Sequence, residues 1–341
     1  MTTEKGSTVR RATLFSAFVL CFVLASSDML KTAQSQEIRF FRIGAGPTGS
    51  SDFVVGSQIA NVISNPPGSP PCERGGSCGV PGMIAVTQAT AGAIENIELL
   101  RSGGVEAALM QANVARWAFE GSGPFSGHPP FRDLRAIAGL YTQTLHLVTR
   151  ADSPIKTPAD LRGRTAAIGE SGSGTLAIAR LVFEAYGLSD KTMRPMYLRP
   201  GPAVDALIDG GVDAVFIVNG TPIPAISELA DKTPIRLIPF NDAVAQRLLR
   251  PPLALTPTTI AKDVYNGAST STPTLGVTAL LAVRADFDSS VVHDLVRGLW
   301  HENSRRLLYE TREATTKNLT IPLHSGAEQY YREAESEHSF P

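Results

Sequence analysis

Two stretches of this chain place glycine beside hydroxyl side chains just ahead of a helix-like segment. The first is Gly44-Ala45-Gly46-Pro47-Thr48-Gly49-Ser50-Ser51, which follows a strand-like run at residues 40–43. The second is Gly169-Glu170-Ser171-Gly172-Ser173-Gly174-Thr175, which follows a similar run at residues 165–168. Glycine-rich turns let backbone N–H groups approach a ligand, and the first turn of the next helix adds unpaired donors and partial positive charge. Hydroxyls add more donors. The chemistry on offer is capture of a carboxylate or phosphate. The alternative for either loop is a plain helix N-cap, and two loops at equivalent places weaken that alternative.

Catalytic readings of the same loops fail on specific residues. The second lacks the lysine of GxxxxGK[ST]. The first, GAGPTG, satisfies G-x-G-x-x-G on paper, but the export expected below argues against a nicotinamide site. Ser171 would need a glycine where Ser173 stands to form a nucleophile elbow. His293, His301 and His324 have no motif around them. No catalytic residue, metal site or cofactor is therefore assigned. The expected anion contacts are Ser173, Gly174 and Thr175. Thr48, Ser51, Asn96 and Gln111 are expected to oppose them, and Asn219 to add a contact from the second loop's side.

An internal repeat supplies the elements that position these residues. Gly103-Gly104-Val105-Glu106-Ala107-Ala108-Leu109-Met110 recurs as Gly210-Gly211-Val212-Asp213-Ala214-Val215-Phe216-Ile217. Each copy follows a short helix with apolar spacing (Ile94, Ile97, Leu100; Val204, Leu207, Ile208), and the paired glycines end that helix. Each half thus reads strand, Gly/Ser/Thr loop, helix, then helix, Gly-Gly, strand. Such wiring predicts α/β architecture in two parallel or mixed-sheet lobes, with the loops facing each other across a cleft at the carboxyl ends of the strands.

The chain has 341 residues, a formal net charge of −1, 43% hydrophobic and 18% charged residues. Such a composition excludes wholesale disorder and the concentrated basic surface of a nucleic-acid binder. Lys5, Arg10 and Arg11 precede an apolar run at residues 12–25, then Ser26 and Ser27. The pattern is that of a signal peptide, cleaved after Ser27 or Ala33, and the run falls short of the roughly 20 residues that span a bilayer. Starting the mature chain at Gln34 removes four basic and two acidic residues and leaves a net charge of −3. Of the three cysteines, Cys21 leaves with the leader. Cys72 and Cys78, in the Pro/Gly-rich stretch 65–82, then form an even pair expected to be a disulfide in an exported protein.

These blocks together resemble the extracytoplasmic solute receptors of TRAP transporters, of the TAXI type, over residues 38–335. The resemblance rests on 44–60, on Thr90-Ala91-Gly92-Ala93-Ile94-Glu95-Asn96 with Met110-Gln111-Ala112-Asn113, and on Leu145-His146-Leu147-Val148. Further matching blocks are Thr157-Pro158-Ala159-Asp160-Leu161, the GSGT turn, Asn219-Gly220-Thr221-Pro222-Ile223-Pro224 and the end from Ile321 to Tyr331. It implies a two-lobed periplasmic binding protein of type II-like fold. Lobe one would take residues 36–144 plus 284–341, and lobe two 145–283, with crossings at 145–148 and 275–283. It also implies a periplasmic, monomeric receptor that carries a small organic anion, a carboxylate, to a TRAP-type permease. A ligand sensor signalling to a membrane partner is the alternative. The family often has Tyr-Tyr where this chain has Asp52-Phe53, serine at Ala93 and glycine at Asn219. Asp52 is expected to point outward and cap the following helix; facing the ligand instead, it would disfavour a second carboxylate or select an amine.

Overall fold

The computed structural model describes residues 38–306, 308, 316 and 319–337. The signal segment expected at 1–33 lies outside these residues, and so does the polar stretch 315–318, whose sequence reads as a loop, apart from Thr316. In the first half, β1 (Arg39–Gly44) leads to α1 (Ser51–Ile63), β2 (Ser64–Asn65), β3 (Val80–Pro81), β4 (Met83–Gln88), α2 (Ala93–Ser102) and β5 (Ala107–Gln111). Helix α3 (Ala112–Glu120) precedes a long strand, β6 (Leu134–Arg150). The second half runs β7 (Thr165–Ala167), α4 (Gly174–Ala185), β8 (Arg194–Met196), α5 (Pro200–Ile208) and β9 (Ala214–Asn219). Then follow α6 (Pro224–Lys232), β10 (Ile235–Leu237), α7 (Ala243–Leu248), β11 (Leu255–Ile260) and the long β12 (Thr272–Arg284). Helices α8 (Ser289–Trp300), α9 (Glu302–Arg305) and α10 (Ser325–Glu337) complete the described residues.

One ten-stranded sheet runs in the order β4-β1-β5-β12-β6-β9-β7-β8, with β10 against β6 and β11 against β12. The sequence repeat is a structural repeat. In each half the first strand lies between the second and the third, and all three are parallel. Helices cover both faces, so every residue of β5 and β9 is buried, as parallel strands require. The antiparallel pair β6 and β12 joins the two halves, and the expected crossing segments lie within these strands.

The acidic residue after each Gly-Gly has the same job in both copies. Arg42 N–H donates to Glu106 Oε2 at 2.6 Å, and Thr165 N–H donates to Asp213 Oδ2 at 2.8 Å. Each acidic residue's own N–H returns a bond to the carbonyl of the same partner. The entry to β5 is thereby tied to β1, and the entry to β9 to β7.

Two expectations need correction. The Pro-containing sequence of 235–257 reads as connecting loops and short helices, but it contributes β10 and the start of β11, which pairs with β12. Proline weakens the strand signal in Leu255-Thr256-Pro257-Thr258, and an edge strand tolerates it because no ladder donor is needed there. The sequence of 286–308 reads as one amphipathic helix, but its described residues form α8 and α9, broken at the extended ψ of 142° at His301. Cys72 and Cys78 form the expected disulfide. His301 Nε2 lies 3.6 Å from Cys72 Sγ, and Asn303 Nδ2 donates to Cys78 Sγ at 3.8 Å. The staple thus holds the 65–82 loop against the end of α8.

Candidate functional site

Both glycine-rich loops end in a serine N-cap. Ser50 Oγ accepts from Phe53 N–H at 3.2 Å, and Ser173 Oγ accepts from Leu176 N–H at 3.1 Å. Gly169 sits at φ +95°, where a Cβ would lie 2.8 Å from Leu176 N, so glycine is required for this tight a turn. Ser173 Oγ also donates to Glu170 O at 2.7 Å. Thr175 Oγ1 accepts from Val218 N–H at 3.2 Å and donates to Val218 O at 3.4 Å, binding α4 to β9. The two hydroxyls expected to face a ligand are therefore engaged within the fold. The N–H groups of Gly174 and Thr175 remain, since the first turn has no carbonyl four residues back.

These N–H groups border a narrow, partly open cleft of about 40 Å³. Ser50, Asp52, Gly92 and Gln111 line it from the first half, and Glu170, Gly174, Thr175 and Asn219 from the second. Gln111, the last residue of β5, is 4% exposed. Its Nε2 donates to Gln143 Oε1 at 2.6 Å, and Gln143 Nε2 donates to Asp52 Oδ1 at 2.7 Å. Tyr141 OH also donates to Asp52 Oδ1, at 2.5 Å. Gln111 Oε1 is buried and has no partner among the described residues. Asp52 is thus a buried cleft residue bonded to β6, and the expected outward cap is wrong: Ser50 caps α1.

The other expected contacts fall in different places. Asn96 is fully buried, with Nδ2 donating to Ala45 O and Leu109 O at 2.7 Å and Oδ1 accepting from Thr90 Oγ1 at 2.8 Å. Every polar atom of that side chain is used inside the first half, so it is a core brace rather than a cleft group. Thr48 is exposed on the turn and does not line the cleft. Ser51 Oγ donates across to Gly220 O at 3.2 Å. Asn219 lines the cleft, and its Oδ1 accepts from Gly220 N–H at 2.9 Å. Sequence reasoning missed Gln143 and Tyr141; a glutamine inside the apolar β6 was the available signal.

The halves meet through backbone as well. Ile94 N–H and Glu95 N–H both donate to Gly172 O, at 3.1 and 3.2 Å, so the second loop caps the start of α2. Gly174 packs so closely on Gln111 that a Cβ there would overlap the amide. None of the described residues lining the cleft is lysine, arginine or histidine. Arg199 Nε pairs with Glu170 Oε2 at 2.7 Å but is 70% exposed, and Glu170 Oε1 is buried without a partner among the described residues. The described lining carries two acidic side chains, Asp52 and Glu170, and what positive partial charge it offers comes from helix N–H groups.

A buried relay supports the wall behind Asn219. His146 Nδ1–H donates to Thr144 O at 3.0 Å, Tyr265 OH donates to His146 Nε2 at 3.0 Å, and Ile223 N–H donates to Tyr265 OH at 2.8 Å. Burial pushes the His146 imidazole down to about 4.

Among the described residues the one group of three potential metal ligands is Cys72, Cys78 and His301, and its sulfurs are bonded to each other. No described helix is long and apolar enough to cross a membrane.

Solved structures share this fold at low sequence identity. An ancestral arginine-binding protein bound to arginine is 13% identical, with a TM-score of 0.50 over 81% of this chain and 100% of that one. A periplasmic transporter protein is 15% identical, with a TM-score of 0.50 over 90% and 95%. A protein from Bordetella bronchiseptica RB50 is 14% identical, with a TM-score of 0.51 over 89% and 100%. The fold is the mixed α/β architecture of periplasmic binding proteins. Residues 43–334 match the NMT1-like family, and the chain belongs to it.

Proposed function

We propose that this member of the NMT1-like family is a periplasmic solute receptor that captures a small organic anion, a carboxylate, between its two halves. The observation that carries the reading is the pair of N–H groups at the start of α4, which border the cleft beside Gln111 and have no carbonyl four residues back. Hydrogen bonds from such groups to an ionised acceptor contribute roughly 1.5–3 kcal/mol each. Contacts to both halves would favour the closed form, because a ligand shifts a hinge equilibrium only by its differential affinity for the two states. The direct contacts Ile94–Gly172 and Ser51–Gly220 would then open to admit it. Hinge points where β6 and β12 leave the first half, near the Thr144–Gly276 pair, fit this motion.

On this reading the apolar run at residues 12–25 is a signal peptide that sends the receptor to the periplasm, where as a monomer it delivers its ligand to the permease subunits of a TRAP-type transporter. The deciding experiment is mass spectrometry of small molecules released from denatured purified protein, followed by calorimetry with the compound found. A carboxylate that binds the refolded protein with one-to-one stoichiometry supports the proposal. A released compound turned over to product on re-addition overturns it. Uptake of the same compound should require both the receptor and a TRAP permease; uptake unchanged without that permease would overturn the delivery step.

A further inference from the structure

We propose that Asp52 and Gln143 set the hydrogen-bond polarity of the cleft, so that the ligand must bear an O–H or N–H donor beside its anionic group. This inference rests on the receptor reading above and refines its ligand. A carboxylate has lone pairs only, so Asp52 must receive hydrogen from both Tyr141 OH and Gln143 Nε2. With its NH₂ end held there, Gln143 can offer only Oε1 to its other neighbour. Gln111 answers with Nε2 at 2.6 Å, and its own Oε1 is left for the cleft. A flip of either amide would set oxygen against oxygen or nitrogen against nitrogen inside a buried network, where an unmatched polar group is costly. The orientation of Gln111 is thus dictated by a residue two amides away.

The position of that oxygen makes the polarity matter. Gln111 Oε1 is buried, has no partner among the described residues and lies against Gly174, the first residue of α4. An anion bound by the N–H groups of Gly174 and Thr175 therefore sits next to a fixed acceptor. Glu170 Oε1, also buried and without a partner among the described residues, adds a second acceptor on the facing side. An acceptor group on the ligand would repel these oxygens. A hydroxyl or ammonium on the carbon next to the carboxylate would meet them. The structure thus favours 2-hydroxy and 2-amino acids over 2-oxo acids of the same chain length. Gln143 does not line the cleft, so its role is that of a positioning residue.

Calorimetry on the full chain with two matched series tests this: lactate, alanine, pyruvate and propanoate; and 2-hydroxyglutarate, glutamate, 2-oxoglutarate and glutarate. The expected result is at least tenfold tighter binding of the donor-bearing member than of its 2-oxo partner in the series that fits. Gln143→Met removes the relay without touching the ligand, so this ratio should fall to about threefold or less while binding of the unsubstituted acid persists. Equal or tighter binding of the 2-oxo acid by the natural protein overturns the inference and leaves the receptor reading standing. Failure of every carboxylate to bind overturns both. A ligand-free measurement reads the relay in the natural protein: the Gln111 side-chain amide hydrogens should exchange at least tenfold more slowly than those of exposed Gln246. Equal exchange rates would show that the relay is not formed.

Discussion

The buried relay at His146 makes a quantitative prediction about pH. All three hydrogen bonds run one way: Ile223 N–H to Tyr265 OH, Tyr265 OH to His146 Nε2, and His146 Nδ1–H to Thr144 O. A second proton, on Nε2, would confront the Tyr265 hydrogen in a fully buried site. The folded imidazole accordingly titrates at about 4, against 6.5 for an ordinary histidine, with burial the largest cause. Between these values the unfolded chain binds more protons than the folded one, so stability falls as pH falls. The contribution is fully present above pH 6.5 and is lost progressively toward pH 4. From pH 7.5 to 4.5 the loss comes to about 2–3 kcal/mol at 1.36 kcal/mol per pKa unit. The assay is urea denaturation of the natural protein and His146→Leu at both pH values. The leucine variant should be less stable at pH 7.5, because Tyr265 loses its acceptor, and the gap should narrow by that amount at pH 4.5. Other titrations occur in both proteins and cancel. A gap independent of pH would refute the reasoning.

Three further outcomes follow from particular contacts. Gly174→Ala should leave the fold intact, since its backbone angle is ordinary, yet weaken ligand binding at least about tenfold (1.4 kcal/mol) by placing a methyl group on Gln111; calorimetry on a variant with native circular dichroism checks it. Asn96→Ala should cost about 3 kcal/mol, because Ala45 O, Leu109 O and Thr90 lose their partner in the core, and should appear as a lower denaturation midpoint with an unchanged slope. Thiol labelling of the unreduced, denatured mature protein should find no free thiol, and replacing Cys72 and Cys78 together by serine should lower stability by about 2 kcal/mol. Two free thiols, or an unchanged midpoint, would contradict the staple.

The architecture was legible because it is written twice. Gly-Gly after an apolar-spaced helix and a Gly/Ser loop after a strand recur at matching places, and each signal is local. The site was only partly legible, because side-chain direction at a helix start depends on what lies across from it. Asp52 and Asn96 both occupy first turns. Residues 89 and 91 positions downstream, Tyr141 and Gln143, draw Asp52 into the cleft, whereas two buried carbonyls draw Asn96 into the core. The hydroxyls of Ser173 and Thr175 looked like ligand donors, but the nearest unpaired groups were those of the fold itself. His146 and Tyr265 are 119 residues apart and carry no shared motif, so the relay could not be seen before folding.

The most direct test of the central claim is a crystal structure of the protein with the compound that mass spectrometry identifies. A carboxylate is expected within about 3 Å of Gly174 N and Thr175 N, the usual span of such bonds, with a donor of the same molecule on Gln111 Oε1. A ligand bound elsewhere, or one that leaves both N–H groups to water, would contradict it.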